Sequence, residues 1–184
     1  MKTLKALTRE QADEKTNAIF NAIEQKAGRL PNLYAAMGNS PQLLSGFLAF
    51  SEILGKGSFS AKEQEAISLA VSQANGCGYC LSAHTALARM AGFTEAETFG
   101  LREGTILDDR LKPLTNLAIE LTENRGKASD VAVKSFYAAG YNEAAFADLI
   151  GLVALRSITN YIFSQGDFEI DFPKAKNIEE LAAA

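Results

Sequence analysis

Residues 60–89 read SAKEQEAISLAVSQANGCGYCLSAHTALAR. Ser60-Ala61-Lys62-Glu63 has the form of a capping box, in which a serine hydroxyl and the glutamate three residues on satisfy each other's backbone N–H groups. A helix therefore starts there, and Ile67, Ala70, Val71 and Ala74 recur along one stripe of it. Asn75-Gly76 is a turn signal, and a second helix begins near Cys77. From Ala66 to Ala88 no residue carries a formal charge, a length that invites a membrane span. Ser68, Ser72, Gln73, Asn75, Gly76, Gly78, Ser82, His84 and Thr85 interrupt it, and the turn falls near its middle. The expectation is a buried helical hairpin and no membrane partner.

The same helical punctuation extends in both directions. Upstream, Thr8 to Lys26 carries Ala12, Ala18, Ile19, Ala22 and Ile23 at helical spacing and stops at Gly28. Leu30-Pro31-Asn32 bends into a short apolar segment, Leu33 to Met37. Ser40-Pro41 starts a helix, serine as cap and proline in the first turn. Downstream, Thr94-Glu95-Ala96-Glu97 is a second capping box. Helices are expected from Arg110 to Asn124, Ser129 to Ala139 and Asn142 to Phe163, with Pro113 tolerated near a helix start. Gln165 to Pro173 reads as loop, and Ile178 to Ala184 as a final weak turn. Alternating strand patterns do not occur, nor does a linker. The fold class is all-α, one multihelical domain over 1–184 whose core lies at about 41–125.

Composition narrows the function. Of 184 residues, 18 are basic and 22 acidic, a net charge of −4 with no basic block, so nucleic acid is not an expected partner. Two cysteines two residues apart cannot staple distant parts of a secreted scaffold. The N-terminus meets charge before any apolar run long enough for a signal peptide. A cytoplasmic, reducing setting is the expectation.

The chemistry sits in Cys77-Gly78-Tyr79-Cys80-Leu81-Ser82-Ala83-His84, which holds both cysteines and the single histidine. A helix starting near Cys77 puts Cys80, Ala83, His84 and Leu87 on one face, and turns Ser82, Thr85 and Arg89 away. A thiolate at a helix N-terminus is a nucleophile with a lowered pKa, and a second thiol close by can capture a sulfenic acid as a disulfide. The segment thus offers a nucleophile, a resolving thiol and an imidazole base. A zinc site competes, with Cys77, Cys80 and His84 as ligands and Glu65 as a fourth. However, structural sites ordinarily add a second CxxC or a histidine pair, and no further Cys or His exists. Haem attachment needs His directly after the second cysteine, where Leu81 stands, and a thioredoxin fold needs strands. No cofactor or metal is called for. Glu65, off the apolar stripe of its helix, reads from pattern alone as a solvated surface glutamate.

The segment from Ser60 to Glu65, the apolar helix, Asn75-Gly76-Cys77-Gly78-Tyr79-Cys80 and His84 together resemble the core of the AhpD-like alkylhydroperoxidases, within the carboxymuconolactone decarboxylase superfamily. Pro31-Asn32-Leu33-Tyr34, Asn39-Ser40-Pro41, Asn160-Tyr161 and Ile170-Asp171-Phe172-Pro173 look like its longer, peroxidase-related branch. The resemblance implies an all-helical fold, a homo-oligomer (trimer or hexamer), a hydroperoxide substrate and a dithiol electron donor, such as a lipoyl or thioredoxin-like protein. It implies that Cys80 attacks the peroxide, that Cys77 closes a redox disulfide with it, and that Glu65 and His84 relay protons. Tyr79 stands where the best-known members have a histidine, and is a supporting residue here. The pair of cysteines sets the chain apart from the decarboxylase branch. Two alternatives stay open: a dithiol-disulfide oxidoreductase acting on lipoamide or a protein disulfide, and a non-catalytic redox-sensing oligomer.

Overall fold

The computed structural model describes residues 2–178. Among them run nine helices: α1 Glu14–Ala27, α2 Asn32–Met37, α3 Pro41–Leu54, α4 Ala61–Ala74, α5 Gly78–Met90, α6 Glu95–Glu103, α7 Leu111–Glu123, α8 Asp130–Ala138 and α9 Glu143–Gln165. Their only β-type pairing is an isolated bridge between Leu4 and Gly166. The fold class is all-α, as the sequence predicts. Both capping boxes form, Ser60 with Glu63 and Thr94 with Glu97. Ser40, Ser129 and Asn142 cap α3, α8 and α9 through their side chains. The weak turn expected over 178–184 lies outside the described residues from 179 on.

One predicted boundary is wrong. The first helix starts at Glu14 and not at Thr8, because Asp13 caps it by accepting from Thr16 N–H. The preceding residues form a separate turn, in which Thr8 O accepts from the N–H groups of Gln11 and Ala12. Arg9 folds back over the new helix, bonding Asn17 and Asn21 and pairing with Glu24. Capping residues that compete for orphan N–H groups decide such boundaries, and apolar spacing cannot.

α4 is the hub, packed against α5, α6, α7 and α9. Every residue from Ala66 to Ser72 is buried, as expected of a helix enclosed on all sides. Phe20, Met37, Leu44, Ile67, Leu81, Leu101, Leu117, Phe136 and Leu149, one from each helix, belong to a single buried apolar cluster. α9 is long and apolar enough to cross a membrane by length and composition, yet here it packs against α2, α3, α4, α5 and α7. A second, smaller cluster of Leu33, Tyr79 and the two cysteines is walled by Tyr34 and by Ile162, Phe163, Phe168, Ile170 and Phe172 from the chain's end.

Candidate active site

The α4–α5 turn fixes the first cysteine. Gly76 takes a left-handed φ of 63°, which glycine adopts without steric cost. Its N–H bonds Gln73 O, and Cys77 N–H reaches Ser72 O at 2.9 Å. This pair of bonds is a Schellman motif ending α4. Cys77 is then the N-cap of α5, and its Sγ accepts from Cys80 N–H at 3.3 Å. One residue closes one helix and opens the next. Both cysteines are buried free thiols.

Their protonation is asymmetric. A hydrogen bond from Cys77 favours the Cys80 thiolate; it outweighs the burial that opposes charge, and His84, Asn160 and Thr159 add to it, so Cys80 is held below the ordinary thiol range. Cys77 is pushed up by donating that bond, by burial, and by the charge on Cys80. When Cys80 ionises, Cys77 keeps its own proton and donates it to the Cys80 sulfur. Cys80 also stands in the first turn of α5, where unpaired N–H groups favour an anion.

Glu65 is not the surface residue that its position off the apolar stripe suggests. Its side chain is 16% exposed and accepts from His84 Nδ1 at 2.8 Å. The apolar stripe fails as a guide because α4 has no free face at this level, and α5 covers the side where Glu65 projects. Burial pushes the carboxyl up, but the charge and hydrogen bond of His84, with Arg156, outweigh it and hold Glu65 below its ordinary value. An ionised Glu65 only accepts, so Nδ1 carries a hydrogen, which leaves Nε2 as the ring's proton-accepting atom. Ser82 turns away from the Cys80 and His84 face, as its spacing predicts, but into the tail and not into water. It is 1% exposed, bonds Gly78 O, and accepts from Ala175 N–H as the C-terminal tail crosses α5.

Cys80, Ala83, His84 and Leu87 line one cavity of about 90 Å³, as their spacing predicts. Its other walls come from far away in sequence. Tyr34, Phe47 and Phe172 make it apolar, and Arg156 supplies a cation. Arg156 Nε donates to Ser68 Oγ at 2.7 Å, which ties α9 to α4. Neither Arg156 nor Thr159, 3.8 Å from Cys80 Sγ, was found from the sequence. The signal was the one arginine inside the long apolar helix, since a charge in such a run has to answer to something.

Tyr79 sits in the motif but is committed elsewhere. Its hydroxyl donates to Asp171 at 2.6 Å and accepts from Leu33 N–H at 3.2 Å. Burial and that bond to Asp171 both push the phenol up. The ring packs on Phe163, Phe168 and Phe172. Asp171 also pairs with Arg29 and accepts from Asn32 N–H, so Tyr79 anchors the tail segment that covers the sulfurs. Glu65 bonds His84, and no group of three His, Cys, Asp or Glu side chains placed to hold a metal ion is found among the described residues.

Residues 41–102 match the carboxymuconolactone decarboxylase family. No curated protein matches the chain by sequence. Among solved structures, it is similar to an uncharacterized peroxidase-related protein from Silicibacter sp. TM1040, with a TM-score of 0.74 and 24% identity over 97% of this chain and 94% of that one. It is similar to the alkylhydroperoxidase AhpD core of a peroxidase-related protein from Ralstonia eutropha JMP134, with a TM-score of 0.75 and 18% identity over 96% and 94%. The debrominase Bmp8 superposes with a TM-score of 0.77 and 19% identity over 93% of each chain. The family match covers the capped helix, the hairpin and both cysteines, and over the remaining helices the chain shares the fold of the AhpD-like structures.

Proposed function

We propose that this protein is a thiol-dependent peroxidase that reduces hydroperoxides through Cys80 and Cys77. The observation that carries the reading is the pairing of a thiol held below its ordinary range with an imidazole oriented by an ionised carboxylate, both on one cavity. His84 Nε2 takes the Cys80 proton, directly or through Cys77 or a water. The thiolate attacks a peroxide oxygen: an S–O bond forms, the O–O bond breaks, and the leaving alkoxide takes the proton back from His84. The products are an alcohol, or water from hydrogen peroxide, and Cys80 sulfenic acid. Cys77 sulfur then attacks Cys80 sulfur, and the hydroxyl leaves with the Cys77 proton as water. An external dithiol reduces the resulting disulfide and is itself oxidised. No metal, haem or flavin enters these steps.

Burial of both sulfurs, with Cys80 on a small cavity, favours a small hydroperoxide as oxidant over a protein disulfide. The donor's dithiol, on a lipoyl arm or a thioredoxin-like protein, reaches the disulfide after Phe172 and the tail move. A dithiol donor also fits a reducing cytoplasm. We further propose a homo-oligomer, because α3 and α9 pack where Phe50 and Leu54 meet Gly151 and leave Ile53 and Ile150 exposed. Light scattering reads the subunit count.

The test mixes reduced protein with cumene hydroperoxide, counts thiols and maps the product by mass spectrometry. A Cys77–Cys80 disulfide and turnover with a dithiol are expected. Cys80→Ser abolishes turnover, and a variant that kept full turnover would overturn the assignment. Stoichiometric oxidation without turnover across a panel of thiol donors would make the protein a redox sensor.

A further inference from the structure

Asn160 stands at the end of a chain of hydrogen bonds that leaves one buried donor unused. The Ser157 hydroxyl donates to Val153 O at 2.8 Å, in the turn below it on α9. Its only hydrogen is spent, so its oxygen can only accept. Asn75 Nδ2 lies 3.4 Å from it, and the same nitrogen lies 2.8 Å from Asn160 Oδ1. The two N–H bonds of Asn75 are therefore spent on Ser157 and on Asn160, and this fixes which way the Asn160 amide faces. Its oxygen turns to Asn75, and its Nδ2 is buried with no hydrogen-bond partner. Asn160 itself is 3% exposed.

A buried donor without a partner costs free energy, and in a native structure it asks for an explanation. The surroundings supply one. Asn75 is the C-cap of α4, two residues before Cys77, and Thr159, the neighbour of Asn160, is 3.8 Å from Cys80 Sγ. The Asn160 side chain thus lies against the CxxC turn. The Thr159 hydroxyl already donates to Arg156 O at 2.7 Å, and Cys80 N–H is taken by Cys77. Besides the Cys77 thiol and the cavity's His84 and Arg156, the Asn160 amide is a buried donor left unspent for a charged sulfur.

We propose that Asn160, oriented by Ser157 and Asn75, holds an N–H in reserve for the negative charge on Cys80 sulfur and is a further catalytic residue of the CxxC site. The inference rests on Cys80 being the thiolate nucleophile of the function proposed above, and on no other part of that reading. It agrees with the direction of both thiols, since the Asn160 side chain acts to lower each of them. Because the donor is fixed before any charge forms, stabilising the thiolate needs no rearrangement.

The test is the pH dependence of Cys80 alkylation by iodoacetamide, resolved from Cys77 by fragment mass spectrometry. Asn160→Leu keeps the volume and removes the donor, and its alkylation midpoint is expected to rise by about one unit, so alkylation below both midpoints slows about tenfold. Asn160→Ala gives the same direction should the leucine variant not fold. Circular dichroism and urea unfolding identify the variants that keep the parent's fold. A folded variant with an unmoved midpoint overturns the proposal, since a purely structural Asn160 would change stability and leave the midpoint alone. The measurement uses no peroxide, so a protein that reduced none would still show the shift.

Discussion

The molecule has two buried regions built on different terms. The large cluster around Ile67, Leu117, Phe136 and Leu149 is aliphatic and aromatic, and every helix contributes to it. The small one around Cys77, Tyr79 and Cys80 takes its walls from residues 33–34 and from the stretch after Tyr161. Polar bonds from Asn75, Asn160, Asp171 and Arg29 frame it. The first region holds the helices together by area removed from water, which needs no direction. The second holds charges and thiols in set orientations, and so it is where hydrogen bonds decide the outcome. Stability and reactivity should therefore separate by region.

The largest effect is expected at the edge of the small region. Glu65→Gln keeps the volume but removes the charge that fixes the His84 tautomer, and the peroxidase rate should fall by about 10²- to 10⁴-fold, the usual worth of a positioned base. Stopped-flow thiol oxidation under excess hydroperoxide reads it. The same variant has a stability signature. Folding lowers the Glu65 pKa from its ordinary 4.5, so between the two values the unfolded chain binds more protons and stability rises with pH. The contribution is complete above the ordinary value and is lost as pH falls through the folded one. Urea midpoints measured between about pH 7 and about pH 3 should fall less steeply in the variant than in the parent. A parallel decline would mean that Glu65 titrates alike in both states.

The large region answers to truncation instead. Phe136 is wholly buried and stacks on Tyr141 with ring centroids 4.5 Å apart. Phe136→Ala should cost about 3–5 kcal/mol of stability, read by urea unfolding, and leave the pH midpoint of Cys80 alkylation where it was. A midpoint that moved with it would show that the two regions are coupled through α4 and α9.

The same contrast explains what was legible in the sequence. Helices and core could be read because caps such as Ser60 and Thr94 and the apolar repeats are local signals, set within a few residues. The CxxC face, Cys80 to Leu87, could be read for the same reason. Glu65 could not, because whether a glutamate faces water depends on what packs over its helix, and the stripe on α4 says nothing of α5. The resemblance to a family supplied it. Arg156, Asn160 and Asp171 come from 70 or more positions along the chain, and no periodicity links them to the cysteines. Their roles follow from which donors and acceptors are already spent, a property of the folded molecule alone.

Tyr79 tests where the line between the two regions falls, with the smallest effect of the three. It lies in the motif, yet its hydroxyl serves the tail through Asp171 and α2 through Leu33 N–H. Tyr79→Phe keeps the ring among Phe163, Phe168 and Phe172 and leaves a buried N–H and one carboxylate oxygen short of a partner. The expected cost is about 1–3 kcal/mol, seen in urea unfolding and in faster proteolysis of the segment around Phe172. The peroxidase rate should change far less than in Glu65→Gln, because the phenol faces Asp171 and its pKa is raised by burial and by that bond. If Tyr79→Phe slowed turnover as much as Glu65→Gln while stability held, the phenol would belong to the proton relay after all. Tyr79 would then take the part of the histidine that its position resembles, and the anchoring of the tail would be secondary.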